Sequence, residues 1–196
     1  MLDPMSILTE YYDPGSLAYR LLVVHGKLVG DFALEAAKAV SHLDPDLDFI
    51  RKAAMLHDIG IFHTHAPKLG CSGDRPYICH GFLGRELLEE KGLTRLALVC
   101  ERHIGVGISA QDIRANHLPL PERDMVPVSL EEQIISYADK FFSKTGPSGS
   151  HPKSISDIKA SLLPFGAEKV AQFERWVHRF NPKEAGKSSG GRKDVA

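Results

Sequence analysis

An all-α fold is what this sequence predicts, and three observations predict it. Apolar residues recur at helical spacing in nearly every periodic segment. No run alternates apolar and polar residues for long enough to make a strand. The 196 residues are 43% hydrophobic, enough for one domain with its own core and no need of disulfide staples.

Taken in chain order, the first helix starts with Asp3 as N-cap and Pro4 at its first position, and stops before Pro14-Gly15. A long helix follows over 16–42, bent near Gly26 or Gly30. Further helices are expected over 46–58, 80–91, 93–103, 129–144, 154–163 and 166–180. The connections 59–79 and 104–128 are longer than a bundle needs, and loops of that length usually form lids or binding walls. Ser109 with Asp112 three residues on opens a short helix in the second. There is no internal repeat. The domain plan is an N-terminal helical extension over 1–15, a helical domain over 16–180, and a disordered tail over 181–196, where Lys187-Ser188-Ser189-Gly190-Gly191-Arg192-Lys193 carries no apolar pattern.

Composition narrows the function. With 24 Lys+Arg against 25 Asp+Glu the net charge is −1, so no stable nucleic-acid complex and no membrane-coating role is expected. No apolar run approaches the roughly 20 residues of a membrane span. The N-terminus lacks the basic and apolar regions of a signal peptide. Cys71, Cys79 and Cys100 read as reduced thiols, and the expected location is the cytoplasm.

Ten histidines are the unusual feature. In the long helix, Ala18, Leu21, Leu22, Leu28, Val29, Phe32 and Ala36 trace a stripe with His25 in its middle. Ile50, Ala53 and Ala54 lead to His57, with Asp58 directly after it. His80 precedes Leu83, Leu87 and Leu88, while Leu93, Leu96, Ala97 and Cys100 lead to His103. Asp139 shares a face with Ile135, Ala138 and Phe142. Four histidines and two aspartates thus point at the core from five helices. Burying two carboxylates with no Lys or Arg on those stripes costs heavily unless a cation compensates. Imidazole with carboxylate is a standard ligand set for a divalent metal. His178 falls on the polar side of its helix, and His42, His117 and His151 lie in turns or loops, so none has a role. His63 and His65 sit between a supporting role and loop surface.

The ordered set His25, His57-Asp58-Ile59-Gly60, His80, His103 and Asp139 resembles the HD-domain superfamily of metal-dependent phosphohydrolases. The stretches Glu101-Arg102-His103-Ile104-Gly105-Val106-Gly107-Ile108 and Glu132-Gln133-Ile134-Ile135-Ser136-Tyr137-Ala138-Asp139-Lys140 are similar to those of small stand-alone HDIG proteins of bacteria and archaea. The resemblance covers about residues 16–144 and implies a helical bundle around a His/Asp metal site. It also implies that His25, His57, Asp58 and Asp139 hold a first ion, and that His80 and His103 hold a second with Asp58 bridging. Cyclic-di-GMP phosphodiesterases of the superfamily usually carry Lys after the doublet's glycine, where this chain has Ile61, and their GYP signature is missing.

The implied activity is hydrolysis of a phosphoester, mono- or diester, in a small nucleotide-type substrate by a metal-bridging hydroxide; the other implied possibility is a non-catalytic metal- and nucleotide-binding regulatory module. Two ions about 3.5–4 Å apart suit in-line displacement. Mixed His and carboxylate ligation tolerates Mn, Fe, Mg, Ni, Co or Zn. Asp58 and Lys140 are the expected catalytic residues, with Lys144, Arg75 and Arg102 as substrate contacts. Phe62, Tyr77 and Phe82 are candidates for stacking a base.

Overall fold

The computed structural model describes residues 2–145 and 151–181. Most of the expected tail lies outside the described residues. Among those described, the helices are α1 (Pro4–Tyr11), α2 (Leu17–Ala39), α3 (Leu47–Leu56), α4 (His80–Glu90), α5 (Thr94–Arg102), α6 (Ala110–Ala115), α7 (Leu130–Asp139), α8 (Ile155–Leu162) and α9 (Ala167–Phe180).

Their starts follow from short polar caps. Asp3 accepts the Met5 and Ser6 N–H groups with Pro4 next in line. Ser16, Asp46, Ser129 and Ser154 do the same for α2, α3, α7 and α8. Ser109 and Asp112 close a reciprocal capping box at α6, as the sequence predicted. α2 runs unbroken past Gly26 and Gly30, both buried, and packs against α3 and α7, while α4 lies along α5. Its buried stripe is centred on Ala18, Leu22, His25, Val29, Ala33 and Ala36, with Leu28 and Phe32 at the flank.

Two departures from expectation shape the site. The 59–79 connection contains a 3-10 turn (Ile59–His63) and a two-residue antiparallel pair, β1 (His65–Ala66) with β2 (Cys71–Ser72), in the register His65 opposite Ser72. Such short strands carry too little alternation to be seen in sequence. The second departure is that α7 ends at Asp139, not 144. After it the chain tightens into i→i+3 bonds: Lys140 N–H to Tyr137 O (3.3 Å), Phe141 N–H to Ala138 O (3.2 Å) and Phe142 N–H to Asp139 O (3.2 Å). Phe141 and Phe142 are both buried in this tighter segment.

One large apolar cluster joins all the long helices, and Tyr137 on α7 packs against Phe173 and Phe180 of α9. A smaller cluster of Cys79, Phe82, Ile113 and Met125 lies under the 104–128 connection. The first helix belongs to the main core. Tyr12, just beyond α1, donates its hydroxyl to Ile59 O (2.7 Å) and accepts from Phe62 N–H (2.9 Å), clamping the turn that follows the His57-Asp58 doublet. No helix among the described residues is long and apolar enough to cross a membrane.

Candidate metal centre

Six side chains from five helices meet in the interior. His25 comes from the middle of α2, His57 and Asp58 from the end of α3, His80 from the first residue of α4, His103 from the residue after α5, and Asp139 from the last residue of α7. All six are buried. They form two groups that share Asp58: His25, His57, Asp58 and Asp139 in one, and Asp58, His80 and His103 in the other. Oδ2 of Asp58 lies 2.9 Å from His57 Nε2 and 3.3 Å from His25 Nε2. Its Oδ1 lies 3.3 Å from His80 Nε2 and 3.5 Å from His103 Nε2. Asp139 Oδ1 completes the first group at 3.0 Å from His25 Nε2.

The backbone fixes which ring nitrogens face inward. Nδ1 of His57 donates to Ala54 O (2.7 Å), that of His80 to Tyr77 O (2.7 Å), and that of His103 to Cys100 O (2.8 Å). A carbonyl can only accept, so in each ring the hydrogen sits on Nδ1 and a neutral ring presents a lone pair at Nε2. His25 has no hydrogen-bond partner at Nδ1 among the described residues, and its Nε2 lies 3.3 Å from that of His57; the Nε2 atoms of His80 and His103 face each other at 3.2 Å. Two opposed lone pairs repel at that distance unless a cation lies between them. Neither oxygen of Asp58 accepts a hydrogen bond of regular geometry. The ends of α3, α5 and α7 converge here too, each bringing a partial negative charge of about half a unit. The donor set and its surroundings fit a divalent cation.

The electrostatics agree. Burial disfavours charge on Asp58, but His57 and Lys144 outweigh it and hold the carboxyl well below its usual range. Asp139 is likewise buried yet held low by Lys140 and His25. Burial alone would depress His57, but the Asp58 charge lifts it to about 9. His103 goes the other way, pushed down to about 4 chiefly by burial.

Gly60 explains the spacing of the doublet from α4. A Cβ there would stand 2.2 Å from His80 O and 2.4 Å from Gly84 N, so only glycine lets the turn press against α4 and set Asp58 beside His80.

The expected charged contacts separate into two sets. Lys140 Nζ pairs with Asp139 Oδ2 at 3.0 Å and Lys144 Nζ with Asp58 Oδ2 at 2.7 Å; both line a cleft that opens on Asp139. The close turn after Asp139 is what brings Lys144 back to the ligands. Arg75 and Arg102, expected at the substrate, do not line this cleft. Arg102 instead pairs with both carboxylate oxygens of Glu132 at 3.1 Å, and that carboxylate also caps Val128 N–H, tying α5 to the start of α7. Arg75 is exposed, its backbone bonded to His63 and His65. Of the candidate stacking rings, Tyr77 lines the cleft and lies against His80 at 4.7 Å between centroids. Phe62 packs on Tyr12 and His63, and Phe82 is buried in the smaller cluster. His65 lines the cleft and His178 is exposed on α9. Sequence reasoning missed the Tyr77 hydroxyl, which bonds to Lys144 and is pushed up to about 12 by burial.

The HD-domain profile matches residues 23–143, which span all six candidate ligands. The chain belongs to the HD-domain superfamily of metal-dependent phosphohydrolases. An uncharacterized protein of Methanocaldococcus jannaschii is 37% identical over 127 residues, 63% of this chain and 68% of that protein. Two proteins named tRNA (cytidine(56)-2'-O)-methyltransferase also match. The one from Thermoplasma volcanium is 27% identical over 91% of this chain and 46% of its own length, and the one from Picrophilus torridus is 32% identical over 63% and 32%. This chain therefore spans less than half of either methyltransferase-named relative. No solved structure matches it significantly.

Proposed function

We propose that the chain hydrolyses a phosphoester of a nucleotide-type substrate, mono- or diester, with two divalent ions held by the six buried ligands. The observation that carries this reading is the Asp58 carboxylate, one oxygen turned to His25 and His57 and the other to a pair of Nε2 lone pairs 3.2 Å apart. A shared carboxylate between two donor groups suits a pair of ions. His25, His57, Asp58 and Asp139 would hold the first and Asp58, His80 and His103 the second. Bound there, the ions supply an activated water and neutralise charge on the phosphoryl oxygens. The protein's own part is positioning and charge. Lys140 and Lys144 stand between the ligands and the cleft, where an ammonium can take up charge on an equatorial oxygen. The Tyr77 hydroxyl beside Lys144 orients that ammonium. The apolar shell around the ligands keeps bulk water away from them.

A second reading, a metal- and nucleotide-binding module without turnover, draws support from the two much longer relatives named for methyl transfer. The complete ligand set favours catalysis. Elemental analysis of the purified protein, joined to a panel of monoester, cyclic and linear diester, and dinucleoside polyphosphate substrates with Mn, Mg, Ni, Co, Zn and anaerobic Fe, tests both. About two metals per chain with metal-dependent release of product supports hydrolysis. Stoichiometric metal without turnover supports the module, and absence of metal refutes both.

A further inference from the structure

The cleft beside the ligands has a volume of about 690 Å³, within the range of pockets for small molecules. Its wall carries four lysines, Lys68, Lys140, Lys144 and Lys153, against one carboxylate, Asp139. The whole chain has a net charge of −1, so this excess is a local arrangement and not a reflection of composition. The four are not equivalent. Lys140 and Lys144 face the ligand carboxylates and form ion pairs with them. Lys68 and Lys153 have no carboxylate at ion-pair distance among the described residues.

Lys153 is half-buried, and its ammonium is disfavoured first by burial and then by Lys140 and Lys144, against a smaller opposing pull from Asp139. Four lysines thus share one cleft with Asp139 as its single carboxylate, and that carboxylate is already paired with Lys140. A single phosphoryl group would be met at the inner end, by the ligands and the two paired lysines. That leaves two cations for a second anion. Apolar groups continue the wall: Leu162 at the end of α8, and beyond it Phe165, which is 72% exposed and offers a bare ring face at the rim.

We propose that the cleft selects a nucleotide bearing a second phosphoryl group besides the one at the metal ligands, with Lys153 and Lys68 holding that second group and Phe165 and Leu162 receiving the base. The assignment rests on the reading of the inner end as a phosphoester site, and it names the substrate class of that site. An ammonium–phosphate contact in a part-buried cleft is a charge-assisted bond, and losing it costs about tenfold in affinity.

The test is calorimetric binding to the full chain of AMP, ADP, adenosine 3′,5′-bisphosphate and the dinucleotide pApA, in EDTA and again with Mn. The expected result is that at least one two-phosphate ligand binds about tenfold or more tightly than AMP in both conditions. Which one does so reports where the second group is attached. In the Lys68→Gln/Lys153→Gln double variant the ratio should fall to within about twofold, with the unfolding midpoint serving as the check on folding. Phe165→Ala should weaken AMP and the two-phosphate ligands by a common factor, because the base is shared. Equal binding of AMP and all three others, or a preference that survives in the double variant, overturns the proposal. Its failure is separable from that of the hydrolase reading. A retained preference without turnover of any ester sinks hydrolysis alone, and turnover with no preference sinks this inference alone.

Discussion

Replacing Gly60 by alanine tests the link between the doublet and the second group of ligands. The new Cβ would stand 2.2 Å from His80 O and 2.4 Å from Gly84 N, both backbone atoms inside or at the start of α4. Cβ contacts below 3.0 Å essentially do not occur and ordinary ones begin near 3.4 Å, so the 59–63 turn and α4 must part by about 1 Å. Overpacking against backbone costs about 2–4 kcal/mol, because no rotamer change can relieve it. For a chain of this size that lowers the melting temperature by roughly 5–15 °C. The same movement draws His80 away from Asp58, now 3.3 Å apart, and loosens the site shared by Asp58, His80 and His103. Differential scanning calorimetry with elemental analysis reads both effects. Gly92→Ala is the control: its φ is +72° but nothing lies within 4 Å of the added Cβ, so only backbone strain of about 1 kcal/mol applies and metal content stays unchanged. A Gly60→Ala protein that melts with the wild type and keeps its metal would refute the reasoning.

Three further outcomes are expected. Asp58→Ala removes the carboxylate common to both groups, so metal content and turnover should be lost with the helical circular-dichroism signal largely intact, while His178→Ala should change neither; wild-type activity in the first variant would overturn the assignment. Tyr12→Phe takes away one hydroxyl that serves both Ile59 O and Phe62 N–H, and chemical denaturation should show a loss of about 1–3 kcal/mol. His57 is held at about 9 by Asp58 against the pull of burial, well above the usual 6.5, so in metal-free protein at pH 7 it carries a proton that ligation must displace. Metal uptake should then release about one proton per chain, and affinity should rise about tenfold per pH unit between 7 and 9; an affinity that is flat over that interval would contradict it.

The burial and convergence of the six His and Asp side chains were legible in the sequence because a helix converts spacing into direction. His25 sits among Ala18, Leu22 and Val29, and nothing but the 3.6-residue period is needed to aim it inward. Asp139 is legible for the same reason, and so is the capping box at Ser109. The segment from Lys140 to Lys144 is not. The apolar period points to a helix as far as Lys144, yet the chain tightens after α7, and this segment returns Lys144 to Asp58. Arg102 stands next to His103 in sequence, but the two side chains leave the end of α5 in different directions and Arg102 finds Glu132. The role of Gly60 depends on how closely α4 approaches, a tertiary fact with no local signal. Tyr12 lies 47 residues from the carbonyl it bonds, beyond the reach of any pattern read along the chain.

The three bonds from Nδ1 to the carbonyls of Ala54, Tyr77 and Cys100 have a consequence for how the site can change over time. In many metal proteins an imidazole is steered by a carboxylate or amide side chain, and losing that side chain loosens the metal. Here the steering group is the peptide unit three residues earlier, which every amino acid supplies. Positions 54, 77 and 100 can therefore exchange side chains, as packing allows, without releasing the rings. The directions of these imidazoles are inherited from the trace of the main chain, so the three rings can keep their aim while the side chains that wall the cleft change around them.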